Sequence, residues 1–251
     1  MREQSNLTVL REQIRRIERH YAPAAKAQFC ATGLPGPDAH LGGGLLRGAL
    51  HEFFDTSGYA AQSTRFIASI LGRHPGPVLW IGTQLSSLYA MGLSQHGLNP
   101  ERVICIEAEE AVLPSICEDA LREPHFAATV IELPRLFHLT ASRRFQLAVE
   151  QGGGLGILLY HCALPDATKQ PPTTSTTRWL ITPEAPRTEN TPHPAAGPGS
   201  TATASQMPWR LDLQRHRGGR PHQWSLSPFE LPDPIIHDTA HPSRVVSTLA
   251  H

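Results

Sequence analysis

GLPGPDAHLGGGLLRGALHEFFDTSGYAAQSTRF, residues 33–66, is the stretch whose reading decides the fold. Gly42–Gly44 and Gly48 form a glycine-rich turn. A short apolar run follows over Ala49–Phe54, and Phe66, Ile67, Ile70 and Leu71 then line one face of a helix predicted over Thr64–Arg73. Strand, loop and helix in that order are the setting of a phosphate loop. There GxxxxGK[ST] lets backbone N–H groups cradle phosphates, a lysine neutralises them and a hydroxyl holds magnesium. Laid on that pattern, TSGYAAQST (56–64) places Thr56 at the first glycine, Ala61 at the second, Gln62 at the lysine and Ser63 at the magnesium hydroxyl, with Thr64 next. The Gln62 amide donates hydrogen bonds but brings no charge. Ala61 adds a Cβ where the backbone must often approach a phosphate. The sequence carries no other GxxxxGK[ST].

Working outward, strands and helices alternate. PVLWI (77–81), RVICI (102–106), ATVIEL (128–133) and LGILLY (155–160) read as strands. Helices are expected over Ser86–His96, Val112–Arg122 and from a Thr140 cap to about Gln151. Strands that are apolar throughout and separated by helices indicate a mainly parallel sheet covered on both faces, joined by right-handed crossovers. Strand order does not follow from the pattern. Near the C-terminus WRLDLQRHR (209–217) alternates, with Trp209, Leu211 and Leu213 on one face; Gly218–Gly219 reads as a turn and HQWSLS (222–227) as the hairpin partner. The fold class expected is α/β, a P-loop-NTPase-type core with a C-terminal β-hairpin extension and flexible tails.

Composition narrows the rest. Lys plus Arg and Asp plus Glu number 22 each, so no global field drives the chain onto nucleic acid. No apolar run reaches the roughly 20 residues that span a bilayer, and MREQSNLTVLREQIRRIERHY has no apolar core of a secretory signal. Cys30, Cys105, Cys117 and Cys162 are scattered and read as free thiols of a reducing cytoplasm. No metal-ligand spacing occurs, and no metal or other cofactor is expected. Residues 1–29 divide into an amphipathic helix and a linker, 30–182 form the core, 183–207 a flexible Pro/Thr/Ala-rich excursion, 208–229 the strands completing the core, and 230–251 a disordered tail. In the N-terminal helix Leu7, Leu10, Ile14, Ile17 and Tyr21 make one apolar stripe, to pack on the core, dock a partner or support a homo-oligomer.

Three blocks resemble the RecA-type ATPase core. The first is the stretch quoted above. The second, VLWIGTQLSSLYAMGLSQHGLNPERVICI (78–106), is similar to the second RecA strand and its helix; where such enzymes carry a water-activating Glu, this chain has Gln84. A neutral amide takes no proton, and losing a general base costs ~10²–10⁴-fold in rate. Glu132, ending ATVIEL, stands where a magnesium-associated Asp usually ends its strand. The third block, PWRLDLQRHRGG (208–219), looks like the strand after the second DNA-binding loop. The first DNA-binding loop is reduced to Pro134–Leu139, so the DNA grip of RecA is not expected. Ala61, Gln62, Ser63, Thr64, Gln84 and Glu132 therefore make a degenerate nucleotide site and no catalytic residue is expected. Ser63, Thr64 and Glu132 leave open a weak ATPase.

LPGPDAHLGGGLLRGALHEFF (34–54), GPVLWIG (76–82), VIELPRLFHLTASRRFQLAVEQGGGLGILL (130–159) and WRLDLQRHRGGRP (209–221) together resemble the ImuA family of RecA-like proteins. The resemblance implies a non-catalytic adaptor of SOS-induced, error-prone translesion synthesis. Its implied partners are ImuB, an error-prone DNA polymerase III alpha-type subunit and RecA. A shortened RecA-like relative, the SulA-type division inhibitor, is the alternative; the long C-terminal block argues against it. Seven arginines are candidates for a partner or DNA patch: Arg135, Arg143 and Arg144 around the helix that follows ATVIEL, and Arg210, Arg215, Arg217 and Arg220 in the hairpin. A solvated charged face is the other reading of the same residues. A protein partner ranks ahead of DNA, for which contact is expected to be weak, and Trp209 and Trp224 are read as packing the hairpin onto the sheet.

Overall fold

The computed structural model describes residues 29–55, 61–85, 88–161, 171–183 and 209–226, the side chains of Asp55, Ala61 and Pro183 excepted. The Leu7–Tyr21 stripe, the loop around Thr56, Cys162, all of the 183–207 excursion beyond Pro183, and the tail lie outside the described residues.

The chain opens with two short paired strands, β1 (Phe29–Cys30) and β2 (Leu45–Leu46), around helix α1 (Pro35–Leu41). There follow β3 (Ala49–Asp55), α2 (Ala61–Gly72), β4 (Val78–Gly82), α3 (Ala90–Gln95), β5 (Val103–Glu107) and α4 (Leu113–Arg122). After them come β6 (Ala128–Leu133), α5 (Leu139–Gly152), β7 (Leu155–Tyr160), β8 (Thr177–Pro183), β9 (Trp209–His216) and β10 (His222–Leu226). One sheet runs β10-β9-β8-β3-β7-β6-β4-β5. From β8 to β5 every pair is parallel; β8, β9 and β10 pair antiparallel. Hence the architecture is a mainly parallel sheet flanked by helices with a hairpin extension, as the alternating pattern required.

Burial follows from strands apolar on both faces. On one face Phe53, Trp80, Val130, Ile157, Trp179, Leu211 and Leu213 pack against Phe66, Ile67 and Ile70 of α2. On the other, Leu50, Phe54, Leu79, Ile131 and Leu158 meet Leu113, Cys117 and Leu121 of α4 and Phe145, Ala148 and Val149 of α5. Each large side chain removed from water contributes roughly 1.5–3 kcal/mol.

The structure departs from the sequence reading in five places. Residues 29–41, to which the sequence reading assigns no strand or helix, contain β1 and α1; Pro35 stands in the first turn of that helix, where its fixed φ fits and its missing N–H costs nothing. Helix α5 begins with His138, not Thr140, as its cap residue. The helix expected over Ser86–His96 is reduced to Ala90–Gln95. The sequence does not single out β8, because the Pro/Thr-rich run of residues 163–177 leads straight into it. Finally, β5 is not covered on both sides: it is the last strand of the sheet, Ile104 is 46% exposed and Cys105 is exposed. A β-branched run specifies a strand, but not its place in the sheet.

Two buried polar groups tie β8 to β3. Arg178 Nε donates to Glu52 Oε2 at 2.7 Å, and Thr173 Oγ1 donates to Glu52 Oε1 at 2.7 Å. Both members of this ion pair are almost wholly buried, so removing one partner alone would cost about 3–5 kcal/mol. Below it, Trp179 Nε1 donates to Thr177 Oγ1 at 2.7 Å, and Thr177 Oγ1 lies 2.7 Å from His51 Nδ1. His51 Nε2 is 2.9 Å from the Leu46 carbonyl. That carbonyl only accepts, so Nε2 carries the proton. Burial pushes the imidazole pKa down to about 4, so at neutral pH the ring is uncharged and Nδ1 accepts from the threonine hydroxyl.

A folded-state pKa below the unfolded value means that the unfolded chain binds the extra proton first. Stability should hold above pH 6.5 and fall as the pH drops towards about 4. The slope from His51 is about 1.4 kcal/mol per pH unit at most. His96, whose Nε2 accepts Arg65 Nε–H at 3.0 Å and whose pKa burial and the guanidinium lower to about 4, adds to the same window. Urea unfolding between pH 7.5 and 4.5 should show this decline, and a His51→Gln variant should show a shallower one.

Candidate functional site

Parallel pairing brings the carboxyl ends of β3, β7, β6 and β4 to one edge, where ligands of open α/β sheets bind. Helix α2 starts at this edge. Its first residues, Gln62 and Ser63, are buried and Thr64 is half-buried. Among the described residues neither Gln62 Oε1 nor Ser63 Oγ has a hydrogen-bond partner. Gln84, two residues past the end of β4, is exposed; its neighbour Leu85 donates its backbone N–H to Glu107 Oε1 at 2.8 Å.

Glu132 is buried on β6, on the face that α2 covers. Trp80 Nε1, from the adjacent β4, donates to Glu132 Oε1 at 2.7 Å. His161, immediately after β7, donates from Nε2 to Glu132 Oε2 at 3.1 Å. Both carboxylate oxygens are thus engaged by neighbours from either side. Trp80 and His161 are site residues that sequence reasoning missed. VLWIG carries no mark of a functional tryptophan, and only strand order puts β4 and β7 on the two sides of β6.

The arginines separate into distinct places. Arg135 pairs with Glu110. Arg144 pairs with Glu118, which also pairs with Arg122. Arg143 is exposed on α5, while Phe145, Ala148 and Val149 of that helix are buried. Arg210 and Arg215 are half-buried on β9, and Arg217 and Arg220 are exposed in the turn. Asp212 accepts from Gln214 Nε2 at 2.7 Å. Trp209 is buried beneath the Arg65 guanidinium, 5.1 Å from its ring, whereas Trp224 is only half-buried. Among the described residues no cluster of three or more His, Cys, Asp or Glu is placed to hold a metal ion, and no helix is long and apolar enough to cross a membrane.

No protein-family model matches the chain. Protein ImuA of Caulobacter vibrioides (strain NA1000 / CB15N) is 34% identical over 222 residues, an alignment that covers 83% of this chain and 84% of that protein. The chain belongs to the ImuA family. Protein ImuA of the C. vibrioides strain ATCC 19089 / CIP 103742 / CB 15 matches to the same extent. The crystal structure of the RadB recombinase superposes with a TM-score of 0.58 at 16% identity, covering 83% of this chain and all of that one. At that identity the likeness shows the fold alone, and the fold of this ImuA-family chain is RecA-like.

On that fold, the described groups at the carboxyl edge donate and accept hydrogen bonds, and Glu132 is the acid among the candidate residues there. Gln62 supplies no cation, Gln84 cannot accept a proton as a carboxylate would, and the Glu132 lone pairs already face two N–H donors. In this arrangement Glu132 acts as an acceptor that satisfies a buried indole. Glu132→Ala should therefore lower unfolding stability by about 1–3 kcal/mol, since it orphans the Trp80 N–H. Glu132→Gln, which keeps an acceptor, should lose less. A carboxylate that no neighbour depended on would show no loss on removal; urea unfolding of the two variants checks this.

Proposed function

We propose that this ImuA-family protein is a RecA-like accessory factor of error-prone translesion DNA synthesis that does not turn over ATP. The observation that carries the reading is the carboxyl edge of the sheet. Gln62 stands at the lysine position, Gln84 at the position of the water-activating carboxylate, and Glu132 is held between Trp80 and His161. A triphosphate there would meet no lysine, and its hydrolysis would lack the general base worth ~10²–10⁴ in rate. What the fold keeps is a well-buried sheet and helix core.

As an adaptor, the protein would hold ImuB, an error-prone DNA polymerase III alpha-type subunit and RecA in one assembly. Family membership supports ImuB-type partners in general; the choice of partners is our proposal. Of the three arginines around α5, Arg143 is exposed and, among the described residues, makes no ion pair, whereas Arg135 and Arg144 are paired with Glu110 and Glu118. A surface ion pair contributes little to stability, but it lowers the field a partner would feel. We therefore place Arg143, rather than its neighbours, at the protein-docking surface of α5.

The test is co-purification of the full-length chain with ImuB and with RecA. Both should be retained, and Arg143→Glu should weaken at least one association several-fold while leaving the thermal midpoint unchanged. Failure of the folded full-length protein to retain either partner would contradict the adaptor role.

A further inference from the structure

The turn of the β9–β10 hairpin carries a second constellation that the adaptor reading does not use. Residues 213–226, LQRHRGGRPHQWSL, contain three arginines and two histidines and no acid. They fold against α1, which adds His40. The His40 and His222 rings stack with centroids 4.9 Å apart and planes 27° from parallel. Trp224 stands edge-on to His40 at 5.4 Å and lies 4.5 Å from His222, and His216 is 6.0 Å from His40. His40 Nε2 donates to the Arg220 carbonyl at 2.9 Å, which pins the turn to the helix.

Two glycines make room for the rings. A Cβ on Gly219 would lie 2.0 Å from His216 Nδ1, and one on Gly36 would lie 2.9 Å from Trp224 Nε1. Around the cluster His222, Gln223, Arg217 and Arg220 are exposed. The acids closest in sequence are committed elsewhere. Asp38 accepts from Thr32 N, Thr32 Oγ1 and Gly33 N at 2.7, 2.8 and 3.0 Å, and Asp212 from Gln214. Cations so concentrated, on a chain of zero formal net charge, are not balanced within their own segment.

We propose that the β9–β10 turn and the facing side of α1 bind single-stranded nucleic acid, phosphates on Arg217 and Arg220 and bases against the His40–His222–Trp224 rings. Guanidinium groups beside planar rings match the alternation of phosphate and base along a strand, and stacking on aromatic faces tolerates any sequence. Rings help only where bases are unstacked, so the strand is single. An acidic peptide would use the arginines and leave the rings idle.

Fluorescence anisotropy of the full-length protein with a labelled 30-nucleotide oligo-dT tests the site. Binding should weaken with salt. Arg217→Glu with Arg220→Glu should lower affinity at least tenfold, and replacing both by Ala should reduce the log–log salt slope by about 1.4, two phosphate contacts at ~0.7 each. His222→Ala, an exposed position, should cost about fivefold or more through lost stacking. Arg143→Glu, on the opposite face, should change nothing, and a blunt duplex should bind more weakly than the single strand. The proposal is overturned if oligo-dT does not bind at low salt, if the double arginine variant binds as wild type does, if His222→Ala has no effect, or if a poly-glutamate peptide of equal charge competes as well as oligo-dT. Retained ImuB and RecA association in the arginine variants would keep this site separate from the adaptor surface.

Discussion

The Glu132 carboxylate accepts the Trp80 indole N–H on one oxygen and the His161 ring N–H on the other, and that arrangement sets what the carboxyl edge of the sheet can do. It joins β4, β6 and the residue after β7 across the place where a RecA-like core would bring its chemistry together. An acid buried in that position needs hydrogen-bond partners, and two N–H donors supply them. Two amides stand at the same edge, Gln62 buried at the start of α2 and Gln84 exposed past the end of β4.

The hairpin extension shows the complementary use of polar groups. Glu52, Arg178 and Thr173 form a buried set that fixes β8 against β3, while the Trp179–Thr177–His51 chain closes the same junction lower down. Such a set is expensive to break and specifies one docking geometry, since each donor has a particular acceptor. With β8 fixed, β9 buries Trp209, Leu211 and Leu213 and carries the arginine-rich turn out past the edge of the sheet. The same strands therefore anchor the core and display cations, with α1 packed beside them to complete the surface.

Much of this was legible in the residues, for physical reasons. Apolar runs such as ATVIEL and LGILLY cannot be anything but buried strands in a chain that alternates them with amphipathic helices, and β6 and β7 occupy those residues. The alternation in WRLDLQRH likewise predicted a strand with one buried face. What escaped was whatever depends on strand order. Trp80 and His161 meet Glu132 only because β4 and β7 flank β6; Glu52 meets Arg178 across 126 residues; His40 meets the β9–β10 turn across 180 residues. The exposed face of β5 was missed for the same reason, as sequence marks a strand and not its position at an edge.

The most direct measurement is phosphate release from ATP and magnesium by the purified full-length protein, run beside Glu132→Ala. Both should sit at the background of the assay and be indistinguishable from each other. Turnover at rates of about 1 s⁻¹ or above, ordinary for an enzyme, and abolished in the variant would contradict a carboxyl edge that serves only the core.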